Sequence, residues 1–571
     1  MKIIIGNDNK IEFSSIPLKK GTNFLGQVDG VVNPETLELT PVENVETLGD
    51  KVTPAQIYAR GGIVSTNGQD QFSWASPDFS AFSDIFYVKL PDKKLLLGNN
   101  FFDVLSHLPF VTIDRKNIEY FLRLGYFPPG KTFFEEIPRI KIGNKLEIID
   151  NRPTEKSIWE LVKPNINYGY ETFKKALSSV FSCEQVSDND SIFLSSGCDS
   201  GLVTALIVKK FGKHPLAVTF HRIPSLRVNE IDSALTKNIA NFLEIEHVLL
   251  DSDYNMENIS YLDIFFKRMP LGAHLAGPYF QMAQEIQKRN IKKLWAGENS
   301  DYLYNLGPTA KTPSGKIRRF YFSKEYIKSL PDIKDKNSAG FIYRLIGEAG
   351  NLALKVKLGY NTRQPKDFQE LVSAWENSPA FLALPLKNSN FKRKFFQPDL
   401  DSTEARKHMI EKMVQFMIAG RDGRAIHEAA KECDLKPILP YSATNMIHFF
   451  RGMETSLIDA LKPKRFTYRY LEELIGKDNY ERLYSSPRKD FLKKSEPYLN
   501  FRQYQSAIIN ETNFGSDLKA AVKNMISFNP IMDKFKELYN FDSLYCLPDL
   551  FWLGRTLQTA KNMGIEVKYS D

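Results

Sequence analysis

The period of apolar and polar positions changes about a third of the way along the chain. Up to residue 160 or so, short apolar or alternating runs (Lys2–Ile5, Ile85–Leu90, Leu95–Leu97, Leu146–Ile149) are cut by Gly-Asn-Asp, Asn-Gly, Pro-Asp and Gly-Asn turn residues. This texture predicts a mostly β, layered domain, with one amphipathic helix at Arg115–Leu124. From about 165 strands and longer helices alternate. Strand candidates are Ser191–Leu194, Pro215–Phe220, His247–Leu250 and Lys293–Ala296, with helices at Ser200–Phe211, Glu230–Leu243 and Gly277–Arg289 between them. Alternation at this spacing predicts a parallel, doubly wound sheet. From about 315 the pattern turns mainly helical, so the expected fold class is α/β: domain 1–160, then domain 165–571 with a helical extension.

Two turns in the second domain carry candidate chemistry. The apolar run ending at Leu194 meets Ser195-Ser196-Gly197-Cys198-Asp199-Ser200 and then a helix pattern. The first amides of a helix have no internal partner and suit an anion. Ser195, Ser196 and Ser200 add hydroxyl donors, and Asp199 adds a carboxylate able to hold magnesium against phosphate oxygens. The run ending at Ala296 meets Gly297-Glu298-Asn299-Ser300-Asp301-Tyr302. Ligands of open parallel sheets bind beyond the carboxyl ends of the strands. Asp199 and Asp301 are therefore expected to face one pocket, a pairing suited to Mg2+ with ATP or pyrophosphate.

Composition narrows the partners. A length of 571 residues, 42% hydrophobic and 25% charged, fits a globular protein of two or more domains. No apolar stretch is long enough for a membrane span, and the opening Met-Lys-Ile-Ile-Ile-Gly-Asn-Asp-Asn lacks the features of a secretory leader. Cys183, Cys198, Cys433 and Cys546 are scattered without a C-x-x-C pair, which points to a reducing cytoplasm and away from zinc or disulfides. The net charge of +8 is modest, and the basic runs at Lys316–Arg319 and Lys392–Lys394 read as solvated surface; no nucleic-acid recognition module is visible. Phe320–Phe322 and Phe395–Phe396 read as core, and Arg424 and His427 as a core polar network.

The first turn resembles the S-G-G-x-D-S pyrophosphate loop of the ATP-pyrophosphatases, with Ser196 where their first Gly stands. If that position requires φ > 0, a serine there would be strained. Further segments, in order, resemble the asparagine synthetase family, which includes the β-lactam synthetases and lasso-peptide cyclases. Gly297–Tyr302 is similar to its G-E-G-x-D-E loop, and Asn229-Glu230 through His247 to its D-E…A…V-A…L-G…H segment. Gly423-Arg424…His427…Lys436–Tyr441 resembles the run ending R-V-P-F-L-D, with Ser442 in the place of the Asp. Ser485–Phe491 resembles R-P-K-x-G-F, and Tyr120–Gly143 resembles the end of the amidotransferase domain.

The resemblance implies a degenerate, glutaminase-like (Ntn-hydrolase-like) first domain and an ATP-pyrophosphatase second domain, with ATP and Mg2+ as cofactors. It implies that Leu194–Ser200 and Gly297 hold the pyrophosphate, that backbone at Val218, Thr219 and Phe220 lines the adenine, and that Glu298 acts as base. Tyr302 replaces the usual Glu and stands as a partner of Glu298 or as packing. Lys489 or the neighbouring Arg488 takes the place of the R-P-K lysine; the loop before the third helix, around Pro270, would approach substrate, with His274 in it read as a structural or helix-capping histidine. Lys2 stands where glutamine-dependent members carry their cysteine nucleophile. Nitrogen would then come from ammonia, from a separate glutaminase, or from an amine on the substrate. The expected reaction joins a carboxylate to an amine, by cyclising or condensing a natural-product or peptide precursor. Ammonia-dependent amidation of a small acid or sugar acid, and an inactive nucleotide-binding scaffold, remain open. A biosynthetic partner protein and a second copy of the chain stand as candidate partners. Asp199→Ala and Asp301→Ala are each expected to abolish ATP-dependent pyrophosphate release without altering the circular dichroism spectrum; normal turnover in either would contradict the metal assignment.

Overall fold

A computed structural model describes residues 2–15, 21–42, 52–159, 168–252 and 276–300 apart from short breaks (7, 25–26, 67–70, 81, 125–126 and 223–226), together with 266–267, 303, 407, 410–411, 414–415, 422–453, 464–485 and 546–569. At its centre is a five-stranded sheet, all parallel: β1 (Asp190–Phe193), β2 (Leu216–Arg222), β3 (His247–Ser252), β4 (Lys293–Ala296) and β5 (Lys436–Ile438), in the order β3-β2-β1-β4-β5. The expected strands and helices are present with ends shifted by at most three residues, the helix expected to reach Phe211 being α-helical over Cys198–Ala205 and continuing as a wider π turn over Leu206–Lys210. The strand over Lys436–Ile438, too short to show a period of its own, follows the helix over Asp422–Glu432 as the resemblance to a helix-to-strand run implies.

Side chains alternate across this sheet with period two. Ile192, Ala217, Trp295 and Ile438 enter one core, and Phe193, Leu216, Val218, Leu294 and Ala296 enter another. Both faces are therefore buried, which is why these strands read as apolar runs. The first core is closed by α1 (Tyr170–Cys183), α2 (Cys198–Ala205), α6 (Thr444–Gly452) and α7 (Arg465–Ile475), through residues such as Phe173, Leu202, Phe449 and Leu471. The second core is closed by α4 (Ala276–Lys288), α5 (Asp422–Glu432) and α8 (Cys546–Asn562), through Ala283, Ile426 and Trp552. The remaining labelled helix, α3 (Arg227–Leu243), supplies Ile239 and Ala240 to the first core.

The first 160 residues are strand-rich, as their turn spacing requires. They form antiparallel sheets of four strands (built on Lys2–Ile5, Ile11–Ser14, Phe86–Lys89 and Leu95–Gly98), five strands and three strands. This half does not stand apart. Tyr58 and Phe79 belong to the first core of the parallel sheet, and Phe86, Phe101 and Phe134 to the second. The C-terminal strand Glu566–Tyr569 returns to pair in parallel with Phe110–Ile113, a long-range contact that no local pattern announces.

Charged groups are buried where the two halves meet. Arg60 pairs with Asp29 (2.5 Å) and Glu184 (3.3 Å), and Lys436 of β5 pairs with the same two carboxylates (2.9 and 2.6 Å). Arg60 also donates to the carbonyl of Pro437 on β5 (3.0 Å). Asp84 accepts from Arg139 (3.1 Å) and from Arg424 of α5 (2.5 Å), and the two guanidinium groups hold its carboxyl below the usual range against the effect of burial. Arg424 thus joins the buried polar network expected of it, while His427, stacked on Phe82 at 4.5 Å, has Nδ1 3.4 Å from Glu428 Oε1.

His448 of α6 is also buried between the halves, and its Nε2–H donates to the carbonyl of Ala55 (2.8 Å). Burial pushes its pKa from 6.5 down to about 4. The unfolded chain therefore binds this proton more readily than the folded one. The stability that the neutral ring contributes is complete above pH 6.5 and is lost as pH falls from 6.5 towards 4. The full shift corresponds to on the order of 3 kcal/mol at most. His448→Gln is expected to flatten the fall of melting temperature across that window; an unchanged slope would show that His448 does not titrate there.

Candidate active site

The strand order reverses direction between β1 and β4, the point at which doubly wound sheets open a crevice at their carboxyl edge. Phe193 and Ala296, the last residues of these strands, are direct partners in the parallel register. The two turns singled out in the sequence therefore start side by side, and they touch. A Cβ placed on Gly297 would lie 2.6 Å from Asp199 C and Ser200 Cα. No side chain fits there, so glycine is required for the two turns to approach.

Gly197 is the N-cap of α2, with extended dihedrals and no side-chain cap, and Asp199 lies in the first turn. The turn is held by its own serines. Ser195 and Ser200 hydroxyls are 2.9 Å apart, the Ser200 hydroxyl donates to the carbonyl of Ser195 (3.0 Å), and Gly197 N–H donates to Ser195 Oγ (3.2 Å). Ser195 and Ser200 thus shape the turn through their own hydrogen bonds. Ser196 is not among the residues with positive φ, so the strain considered for a serine at that position is absent.

The third residue of the second turn does require positive φ. Asn299 has φ 74°, a conformation open chiefly to glycine and, among side-chain residues, to Asn and Asp. It stands where the family's G-E-G-x-D-E loop has glycine. Asn299 is 1% exposed and donates to Ser442 Oγ at 2.7 Å. Gly423 leaves room for it: a Cβ there would lie 2.8 Å from the Asn299 amide carbon. Glu298, between Gly297 and Asn299, is half-buried.

Three residues outside the sequence-derived set complete the carboxyl edge. Tyr441, buried in the turn after β5, donates to the carbonyl of Asp199 (3.4 Å). Tyr484 lies over α2, 2.7 Å from where a Cβ on Gly201 would be. Lys464, the N-cap of α7, pairs its ammonium with Asp199 Oδ2, the two side chains being 12% and 14% exposed. Its signal in the sequence was the run Lys462-Pro463-Lys464-Arg465 just ahead of an amphipathic helix.

On the adjoining strand, Leu194 N–H donates to the carbonyl of Val218 (3.0 Å) and Thr219 Oγ1 donates to the carbonyl of Leu194 (2.7 Å). His247 in turn donates from Nε2 to Thr219 Oγ1 (2.8 Å). The side chains of Val218 and Thr219 are buried, which leaves backbone as what this stretch can offer a ligand. Asp301, Tyr302, His274, Arg488 and Lys489, with the aromatic and basic runs between 316 and 396, lie outside the described residues. Asp199 is already apposed to a cation. Among the described residues no cluster of three or more His, Cys, Asp and Glu surrounds it. A divalent ion held by one or two carboxylates at this edge would complete its shell with phosphate and water oxygens, which suits magnesium.

A parallel α/β sheet with a glycine-tight pair of turns and a capless helix start at its switch point defines a nucleotide- or phosphate-binding enzyme fold. Residues 185–457 match the family model described as Asparagine synthase, and over that segment, just under half of the chain, the protein is similar to the asparagine synthase family. The match implies ATP-dependent amide synthesis of the ATP-pyrophosphatase type, with a carboxylate and an amine or ammonia as substrates; the family uses ATP, commonly with Mg2+. No curated protein matches the chain. Among the described residues no helix is long and apolar enough to cross a membrane.

Gly297→Ala tests the contact between the turns. The added methyl meets backbone, which cannot rotate aside, so a loss of about 1–3 kcal/mol in stability is expected. Displacement of the Asp199 turn is expected to reduce pyrophosphate release at least tenfold (about 1.4 kcal/mol in the barrier). Wild-type turnover would show that the turns need not touch for chemistry.

Proposed function

We propose that the protein is an AMP-forming amide synthetase that adenylates a substrate carboxylate and joins it to an amine, most naturally one on a natural-product or peptide precursor, without glutaminase activity of its own. The observation that carries this reading is the apposition of Asp199 and the start of α2 to the Gly297–Glu298 turn at the switch point of the sheet. ATP would lie with its pyrophosphate against the Leu194–Ser200 turn and its adenine along the backbone of Val218–Phe220. A carboxylate oxygen attacks the α-phosphorus, the bond to the bridging β-oxygen breaks, and pyrophosphate leaves. The amine nitrogen then attacks the acyl carbon, the bond to AMP oxygen breaks, and the amine proton passes to Glu298. Holding both reactants in one site supplies much of the rate.

Asp199 and Asp301 would hold magnesium, which would neutralise charge on the phosphates. The second cation of the reaction is assigned to Lys489 or Arg488. Its support is the path of the chain: Tyr484 touches α2, and the five residues from there to Lys489 can span at most about 18 Å. The absence of glutaminase activity is supported by Lys2, which sits in a strand with its N–H bonded to Ser15 Oγ (2.8 Å). The three cysteines whose side chains are described, Cys183, Cys198 and Cys433, are all buried.

Release of pyrophosphate from ATP should be followed with candidate carboxylates, with and without ammonium, and with precursor peptides. Turnover on a precursor without ammonium is expected. Strict dependence on ammonium would replace this reading with amidation of a small acid, and ATP binding without turnover on any substrate would leave an inactive nucleotide-binding scaffold.

A further inference from the structure

Glu298 is held through both of its neighbours. Gly297 before it packs on the backbone of Asp199 and Ser200, where no Cβ fits. Asn299 after it is held by its side chain. Its Nδ2 donates to Ser442 Oγ at 2.7 Å, in the turn Pro440–Ser442 that follows β5. The same amide packs on Gly423 of α5, where a Cβ would come within 2.2 Å of Nδ2 and 2.8 Å of Oδ1. Asn299 and Ser442 are both buried.

Glycine alone would meet the backbone of this position (φ 74°) and would bring no polar atoms to bury. Asparagine brings two and satisfies one, for Oδ1 has no hydrogen-bond partner among the described residues. A buried acceptor without a partner is unfavourable, so its presence requires a physical reason. Backbone conformation does not supply one here. The bond to Ser442 does: it ties the turn after β4 to the turn after β5 at the residue next to Glu298. Ser300 Oγ, buried in the same turn, has no partner among the described residues and adds no tie of its own.

Resting on the reading of Glu298 as the group that takes the amine proton, we propose that Asn299 is a positioning residue for the amide-forming step, acting through Ser442 to fix where the Glu298 carboxylate stands. Asn299 is too deeply buried to meet substrate, and its effect passes through the backbone it shares with Glu298. Adenylation depends instead on the Asp199 turn, which Gly297 supports. In the second step the amine nitrogen bonds to the acyl carbon, the bond to AMP oxygen breaks, and the proton goes to Glu298. A carboxylate misplaced by about 1 Å loses on the order of 100-fold in such a transfer.

The test separates the two steps in the full-length chain, with an acid that supports pyrophosphate release in the wild type. Pyrophosphate–ATP exchange reports adenylate formation, and amide product reports the second step. Hydroxamate formed with hydroxylamine reports attack by an amine already unprotonated at neutral pH. Asn299→Gly keeps the backbone and loses the amide; Ser442→Ala loses the acceptor. Each is expected to slow amide formation at least about tenfold. Both should leave exchange and hydroxamate formation within about twofold of wild type. The double variant should be no slower than either alone, because both remove one bond. Crystal structures of the two variants are expected to show the Glu298 carboxylate displaced. Unchanged amide formation in both variants overturns the proposal, and so does a Glu298 that has not moved. An equal loss of exchange and amide formation also overturns it, because that marks a structural role for the whole turn. Should thermal melting show that Asn299→Gly misfolds, Ser442→Ala decides by the same criteria. Wild-type protein that performs no exchange with any acid sinks the synthetase reading, a result distinct from failure of the pair, which the crystal structures still decide.

Discussion

Everything at the carboxyl edge depends on β1 and β4 being neighbours in the sheet. Their parallel register brings Phe193 opposite Ala296, and the chain leaves both strands in the same direction at the same height. Gly297 then packs on the backbone of Asp199 and Ser200. Because two segments about 100 residues apart meet backbone to backbone, the spacing between their functional groups is set by covalent geometry and van der Waals contact. Long side chains would allow it to drift. A site that must hold reacting atoms within a fraction of an ångström is best built on such supports.

The first half of the chain contributes to this rigidity whatever else it does. It covers parts of both faces of the parallel sheet and meets β5 through a buried set of two cations and two carboxylates: Arg60, Lys436, Asp29 and Glu184. Buried ion pairs gain little net stability over apolar packing, but losing one partner is strongly destabilising. They therefore fix how the halves dock more than how tightly. The closing strand Glu566–Tyr569 on Phe110–Ile113 ties the end of the chain into the same arrangement.

Departures from the family pattern are accommodated in pairs. Where the family has glycine, Asn299 takes a left-handed backbone, and its amide finds Ser442, itself at a position where the family has an acid. The bond from Asn299 Nδ2 to Ser442 Oγ joins a neutral donor to a neutral acceptor and buries no charge there. Ser196, by contrast, needs no compensation, since its backbone stays out of the left-handed region.

The sequence by itself determined the elements and the two chemical turns. Apolar period two, turn residues and helix starts are local properties, and Ser191–Leu194, Lys293–Ala296 and Arg115–Leu124 are read from them almost to the residue. Asp199 and Glu298 were singled out because each lies in the turn or helix start that follows such a strand. Only the tertiary structure decided that Tyr441, Tyr484 and Lys464 attend the Asp199 turn, that Ser195 and Ser200 serve the turn's own shape, and that β5 and the last strand complete their sheets. These are contacts between segments more than 100 residues apart, or choices among hydrogen-bond partners. They follow from how buried surfaces and charges are shared across the whole chain, which no local stretch of residues encodes.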